Sequence, residues 1–536
     1  MTFSFKQANA LIIDDFQGMR TMLRDFVKNM GVLHIDTASN GKDAIGHLNS
    51  SKYEIVICDY NLGPGANGQQ VLEEAKLRSL TGVSTIWVMV TAERTTDMVM
   101  GAAEIKPDDY LLKPINQVLL QSRLEKLMAR KQSLGVVEAA IRAKDFAAAI
   151  GHCDQLLKTQ AVNPQEVLRI KSDLLLTLGD YAAARSVFES VLAVRNIAWA
   201  KTGLGKTLYF TQNYAGALAL FGQVLADNQM YIEAADWLAK THEAMGDGLL
   251  AQQVLLEAVK LSPNSPVRQK NLGDTALKNG ALDLAQTAFE KNIKISEFSA
   301  HKNPAVYARL ADVLVDKGES QEALNVLKRS KADFRFNPAA ALQTAAAESR
   351  VYQKMGEFDK AQAALASAEQ LAEQLAGGLS TELLLEVAQS QFRLGYKDKA
   401  FSLLGQVIKN NHENAAIASQ IEAIFAREHL EQEGQTLMAS ARQEVIDINN
   451  QGVVLAKQGH FEQGAKLLRT ALKQLPGSEA ITINLCGLLI GQLSKEGYKE
   501  ALAAEARSLL DRVHEQNPAN KKYYAYSLVL ARLQRA

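Results

Sequence analysis

Glu54-Ile55-Val56-Ile57-Cys58-Asp59-Tyr60-Asn61-Leu62-Gly63 is an apolar run that stops abruptly at a carboxylate. It is rich in β-branched residues and is followed by Pro64-Gly65. This reads as a strand buried on both faces that ends in a loop. Asp59 then stands at the strand's carboxyl end, the rim at which open α/β sheets bind ligands. Taken alone, the stretch equally allows a turn or helix-cap aspartate.

Working outward, Ala8–Ile13 is a second apolar strand with Asp14-Asp15 directly after it, and Gln17–Met30 carries apolar residues at helical spacing. Strands are expected at Val32–Ala38, Ser84–Val90 and Asp109–Leu112, with helices at Gly41–Leu48, Asn67–Leu80, Arg94–Glu104 and from Ile115. Strands alternating with helices at this rhythm predict a five-stranded, doubly wound parallel α/β sheet. Its carboxyl rim collects Asp14, Asp15, Asp59, Thr91 and Lys113. Three crowded carboxylates repel one another unless a cation joins them. Mg2+, a hard ion that takes oxygen ligands, suits the need. Lys113 and the Thr91 hydroxyl add a charge and a hydrogen bond for a phosphoryl group.

Ile13-Asp14-Asp15, Asp59, Thr91-Ala92 and Lys113-Pro114 resemble, in order and spacing, the signature of response-regulator receiver domains of the flavodoxin-like type. The resemblance covers about residues 1–125. It implies that Asp59 is the phosphoacceptor, taking phosphate from a phosphohistidine on a histidine kinase or phosphotransfer protein. It further implies Asp15, Asp59 and the backbone carbonyl of Asn61 as Mg2+ ligands, with Asp14 acting through water. Lys113 would bridge to the phosphate, and Thr91 and Tyr110 would be the switch residues. An aspartyl carboxylate is a competent acceptor when positioning and charge neutralisation are supplied. Gly63–Gly68 is glycine-rich but lacks the Lys-Ser/Thr of a nucleotide loop.

The composition changes within Gln121–Leu134, after which Ala, Leu, Gln, Glu and Lys dominate. The expected organisation is a receiver over residues 1–125, a linking helix over 126–134 and a repeat domain over 135–536. In that last part a cassette recurs: a turn, often with Gly, then an aromatic or apolar residue, Ala three residues on and an apolar residue four beyond that. Examples are Gly179-Asp180-Tyr181 with Ala184 and Phe188, Asn213-Tyr214 with Ala217 and Phe221, and Gly280-Ala281-Leu282 with Ala285 and Phe289. The series runs from Asp145-Phe146 with Ala149 to Tyr498 with Ala501, and Ala415–Ile448 has no readable register. The early spacing is close to 34 residues, and the pattern resembles tetratricopeptide repeats, about nine or ten helix pairs. The resemblance implies an all-α superhelical array with a concave face for a protein partner. Lys521–Leu533 is expected to cover the array's end, and Trp199 and Trp237 to be core packing.

Lys plus Arg and Asp plus Glu are 59 each, so no global charge draws the chain to nucleic acid or anionic lipid. The three cysteines, Cys58, Cys153 and Cys486, form no metal-ligand spacing. No apolar run reaches about 18 residues, so membrane insertion is not expected, and a cytoplasmic protein is. The sequence therefore predicts a phosphorelay response regulator that is not an enzyme and whose output is protein binding. Homodimer formation is a further partner option. The alternative is an antagonist that drains phosphate or blocks transfer from a kinase to another regulator.

Overall fold

The computed structural model describes residues 5–92, 105–132, 134–159, 163–375, 379–412, 414–517 and 520–534. It divides into two compact units, one of residues 1–176 and 180–303 and the other of 177–179 and 304–536. In the first unit, β1 (Asn9–Ile13), β2 (His34–Ala38), β3 (Ile55–Asp59), β4 (Ile86–Thr91) and β5 (Asp109–Leu112) form a parallel sheet in the order β2-β1-β3-β4-β5. Ile12, Ile55, Ile57, Val88 and Val90 pack on one side against α1 (Gln17–Asn29) and α4 (Gln117–Gln132). Leu11, Val56, Cys58, Trp87 and Met89 pack on the other against α2 (Gly41–Ser50) and α3 (Gly68–Leu77). This two-sided burial is why β3 reads as an unbroken apolar run, each buried aliphatic side chain contributing about 1.5–3 kcal/mol.

The strand at Val32–Ala38 begins later than the sequence suggests, at His34. Gly31 has φ +105° and the Val32 N–H still donates to Val27 O, so both residues belong to the exit from α1. Asn67 is the cap of α3 and forms a reciprocal capping box with Gln70. The expected helix Arg94–Glu104 lies outside the described residues.

Helix α4 runs unbroken through residues 126–132, and Gly135–Arg142 then pairs with Phe146–Thr159. The junction is tied to the sheet: Lys131 Nζ lies 2.7 Å from Asp108 Oδ1, and Glu138 Oε2 accepts from Ser84 N at 2.6 Å. Antiparallel helix pairs follow, among them Ala198–Phe210 with Tyr214–Asp227, Ile232–Met245 with Gly248–Leu261 and Pro266–Lys278 with Leu282–Ile295. Ala184, Ala217, Ala251 and Ala285 are fully buried between paired helices. Gly205 and Gly273 leave space for the rings of Phe221 and Phe289, because a Cβ there would sit 2.5 and 2.4 Å from the ring atoms. Gly179, Gly246 and Gly280 have φ of +66°, +85° and +75° in the turns, where a Cβ would be strained.

The second unit continues the pattern from Pro304–Asp316 onward. The unreadable stretch Ala415–Ile448 holds Ala415–Arg427 and the start of one 27-residue helix, Glu431–Lys457. That helix is the second of one pair and the first of the next. The turn before it uses His429 at φ +57° in place of glycine. The last cassette is out of register with the expectation: Ala501 is exposed, and Ala503 and Ala506 are the buried small residues of Glu500–Gln516. Lys521–Leu533 packs on this end through Tyr523 and Leu530. Among the described residues no helix is long and apolar enough to cross a membrane. All three cysteines are buried free thiols.

Candidate functional site

The rim of the sheet is assembled by strand register. Ile13 pairs with Cys58, Asp59 with Val90 and Thr91 with Leu112, so the first loop residues after β1 and β5 fall beside the ends of β3 and β4. The Asp14 N–H donates to Ala38 O at 3.2 Å, and the Lys113 N–H donates to Thr91 O at 2.8 Å, which extends the ladder by one step at each of these positions. Six of the seven sequence-predicted residues, Asp14, Asp15, Asp59, Asn61, Thr91 and Lys113, are on the strand ends or in the loops after them, and the seventh, Tyr110, is the second residue of β5.

Carboxylate oxygens of Asp14, Asp15 and Asp59 lie within 4.8 Å of one another. Asp14 is fully buried, Asp59 nearly so, and Asp15 is exposed. Lys113 Nζ donates to Asp59 Oδ2 at 2.7 Å and to Asp14 Oδ2 at 3.0 Å, spanning the two buried members. Burial raises the Asp59 carboxyl above the ordinary carboxylate range. Lys113 and the Asn61 backbone N–H pull it back without cancelling the rise, and the charge on Asp14 adds to it. Burial draws the Lys113 ammonium down, but its bonds to Asp59 and Asp14 leave it above its ordinary value. Three carboxylates against one ammonium leave the rim anionic, and its oxygens are hard donors. Such a set fits Mg2+ by charge and ligand type.

The loop after β3 fits closely beside Asp15. The Asn61 side-chain oxygen accepts from Gly63 N at 3.2 Å, and Gly63 has φ +70° with its missing Cβ 3.3 Å from Asp15 Oδ2. Thr91 is buried next to Ala92 at the end of β4. Tyr110 is half-buried against the cluster that holds Cys58 and Tyr60, and burial raises its phenol well above the ordinary value.

Sequence reasoning missed two features. Arg20 Nη1 donates to the backbone carbonyls of Asp14 and Asp15 at 2.7 and 3.0 Å, fixing the acidic loop from one turn inside α1. An arginine on an amphipathic helix gives no signal for that. Gly68 is pressed onto the acceptor itself: a Cβ there would meet Asp59 O at 2.0 Å and Cys58 Sγ at 2.9 Å. The glycine is visible in the sequence, but its reason is a contact between two elements.

The family model described as the response regulator receiver domain matches residues 10–125, and that described as the tetratricopeptide repeat matches residues 134–198. The chain is 28% identical over 120 residues to the chemotaxis protein CheY of Pseudomonas aeruginosa, covering 22% of this chain and 95% of that protein. It is 27% identical over 126 residues to chemotaxis protein CheY-3 of Vibrio cholerae, covering 23% and 95%. Among solved structures, Vibrio cholerae CheY4 matches at 22% identity and TM-score 0.21, over 22% of this chain and 98% of that one. A tetratricopeptide repeat protein from Parabacteroides merdae matches at 12% identity and TM-score 0.33, over 50% and 99%. The chain therefore carries a response-regulator receiver domain followed by tetratricopeptide repeats.

Proposed function

We propose that this protein is a phosphorelay response regulator in which Asp59 accepts a phosphoryl group and the repeats deliver the output by binding a protein. The observation that carries the reading is the Lys113 ammonium spanning Asp14 and Asp59 inside a three-carboxylate rim. Mg2+ held by Asp15, Asp59 and the Asn61 carbonyl, with Asp14 acting through water, would supply neutralising charge for the transferring oxygens. The protein's own groups do the rest. An Asp59 oxygen attacks the phosphorus of a phosphohistidine, the N–P bond breaks, and the donor imidazole leaves with the electron pair. Lys113 follows the new negative charge, and Arg20 keeps the Asp14-Asp15 loop from retreating. Thr91 supplies a hydroxyl to a phosphoryl oxygen, and Tyr110 repacks when Thr91 moves.

The domain boundaries of this reading are residues 1–125 for the receiver, 126–134 for the link and 135–536 for the repeats. No sequence motif of a catalytic output accompanies them, so the product of the switch is a change in binding. The test is incubation with radiolabelled acetyl phosphate or a phosphorylated histidine kinase. Label that is Mg2+-dependent and absent from Asp59→Asn supports the reading; equal label on Asp59→Asn rejects it. Capture of binding proteins with and without beryllofluoride then tests the output, and identical capture in both states removes the coupling.

A further inference from the structure

The receiver and the first helix pairs of the repeats belong to one compact unit, and they meet at the turn before β5 and along α3. Lys106, in the turn before β5, places Nζ 3.1 Å from Glu233 Oε2 on the helix Ile232–Met245. Lys206, on Ala198–Phe210, holds the other oxygen, Glu233 Oε1, at 2.6 Å. Burial by itself would raise the Glu233 carboxyl, but the two ammonium groups hold it down at about 2. Beside it lies an aromatic wall that already takes ammonium groups, with Lys240 Nζ 4.5 Å and Lys206 Nζ 5.3 Å from the Trp237 ring and Tyr209 edge-on to Trp237 at 5.4 Å. Trp237 is half-buried rather than sealed in the core. On α3, Gln70 Nε2 donates to Ile295 O at 3.2 Å, and Glu73 takes Ser299 Oγ at 3.3 Å and His301 Nε2 at 3.2 Å.

We propose that Glu233 with its Trp237 wall is a docking site for a lysine or arginine side chain on a segment of a partner protein, and that the receiver's Lys106 occupies that site in cis. This rests on the reading that the repeats bind protein. One carboxylate oxygen is committed to Lys206 within the repeats. The other is matched to a cation from outside them, and an aromatic face adjoins the pair, a combination that accepts ammonium or guanidinium groups. Lys106 is exposed along much of its length and held in a turn at φ +53°, so the contact is a replaceable one and not a core element. A partner's basic segment and the receiver cannot both use Glu233 Oε2. The hold of the receiver there is shared with α3, whose first residue is packed against the backbone of Asp59.

The test uses the full chain and a fluorescein-labelled hexapeptide Ile-Lys-Pro-Asp-Asp-Tyr, a copy of residues 105–110, followed by fluorescence anisotropy. Lys106→Glu turns the attraction to Glu233 into repulsion and exposes the site, so the peptide should bind about fivefold tighter than to wild type, and Lys106→Ala should give a smaller gain. Adding Glu233→Gln to either variant should abolish the gain, and a peptide with Gln in place of its lysine should show none. The proposal is overturned by no gain in both Lys106 variants, or by a gain that survives Glu233→Gln or the Gln peptide. Beryllofluoride is added separately. A Lys106 effect that beryllofluoride leaves unchanged keeps the docking site and counts only against its control by Asp59.

Discussion

At the scale of single residues, the fold disfavours the charged form of Asp59. Its carboxyl is raised by burial and by Asp14, so the ionised group costs stability above its folded pKa, and that cost disappears as pH falls through it. Asp59→Asn should therefore raise Mg2+-free stability at pH 7, read from urea unfolding, because Lys113 keeps Asp14 as a partner. A loss of stability would show that the Lys113–Asp59 pair outweighs the crowding. His301 has the opposite sign. Its hydrogen bond to Glu73 raises the imidazole above 6.5, so the contact contributes fully below that pH and is lost as pH rises through the folded value. An NMR titration should place His301 above 6.5 and show it falling back in Glu73→Gln; no change in the variant would mean the pair is not formed. The acidic residues were legible because each follows directly on an apolar strand. Arg20, Gln70 and Glu73 were not, since their partners are backbone carbonyls and side chains on other elements, up to 228 positions away in the case of Glu73 and His301.

At the scale of elements, the glycines divide by what surrounds them. Gly205 and Gly273 sit inside first helices, where helix propensity alone favours alanine, yet the Phe221 and Phe289 rings occupy the place of the missing Cβ. Gly205→Ala should lower stability by about 1–3 kcal/mol through overpacking. Gly222, on an exposed helix face with nothing within 4 Å, is the control. Gly222→Ala should raise stability by about 0.5–1 kcal/mol. Equal effects in thermal unfolding would sink the packing explanation. The helix pairs were readable where turn glycine, buried alanine and following aromatic recur together. They became unreadable where His429 replaced the glycine and Glu431–Lys457 ran on without a turn. The tail's register failed for a similar reason: Ala501 and Ala503 are both available to the pattern, and only packing chooses Ala503.

At the scale of the whole molecule, the receiver's α3 is both the helix that abuts Asp59 and the one that touches residues 295–301. Gln70 does two things at once, closing the capping box with Asn67 and bonding Ile295 O. Gln70→Ala should cost about 0.5–2 kcal/mol and raise amide exchange in the 295–301 segment as well as at the start of α3. Faster exchange confined to α3 would show that the tie to the repeats carries no stability. In the second unit, the 27-residue helix Glu431–Lys457 belongs to two neighbouring repeats with no hinge between them. A residue inserted in the turn Gln458–His460 can be absorbed by the loop. One inserted near Ile448 would rotate everything beyond it by about 100° around the helix axis. That segment is thus intolerant of changes in chain length, and an array that varies freely in length at its turns must keep its phase there.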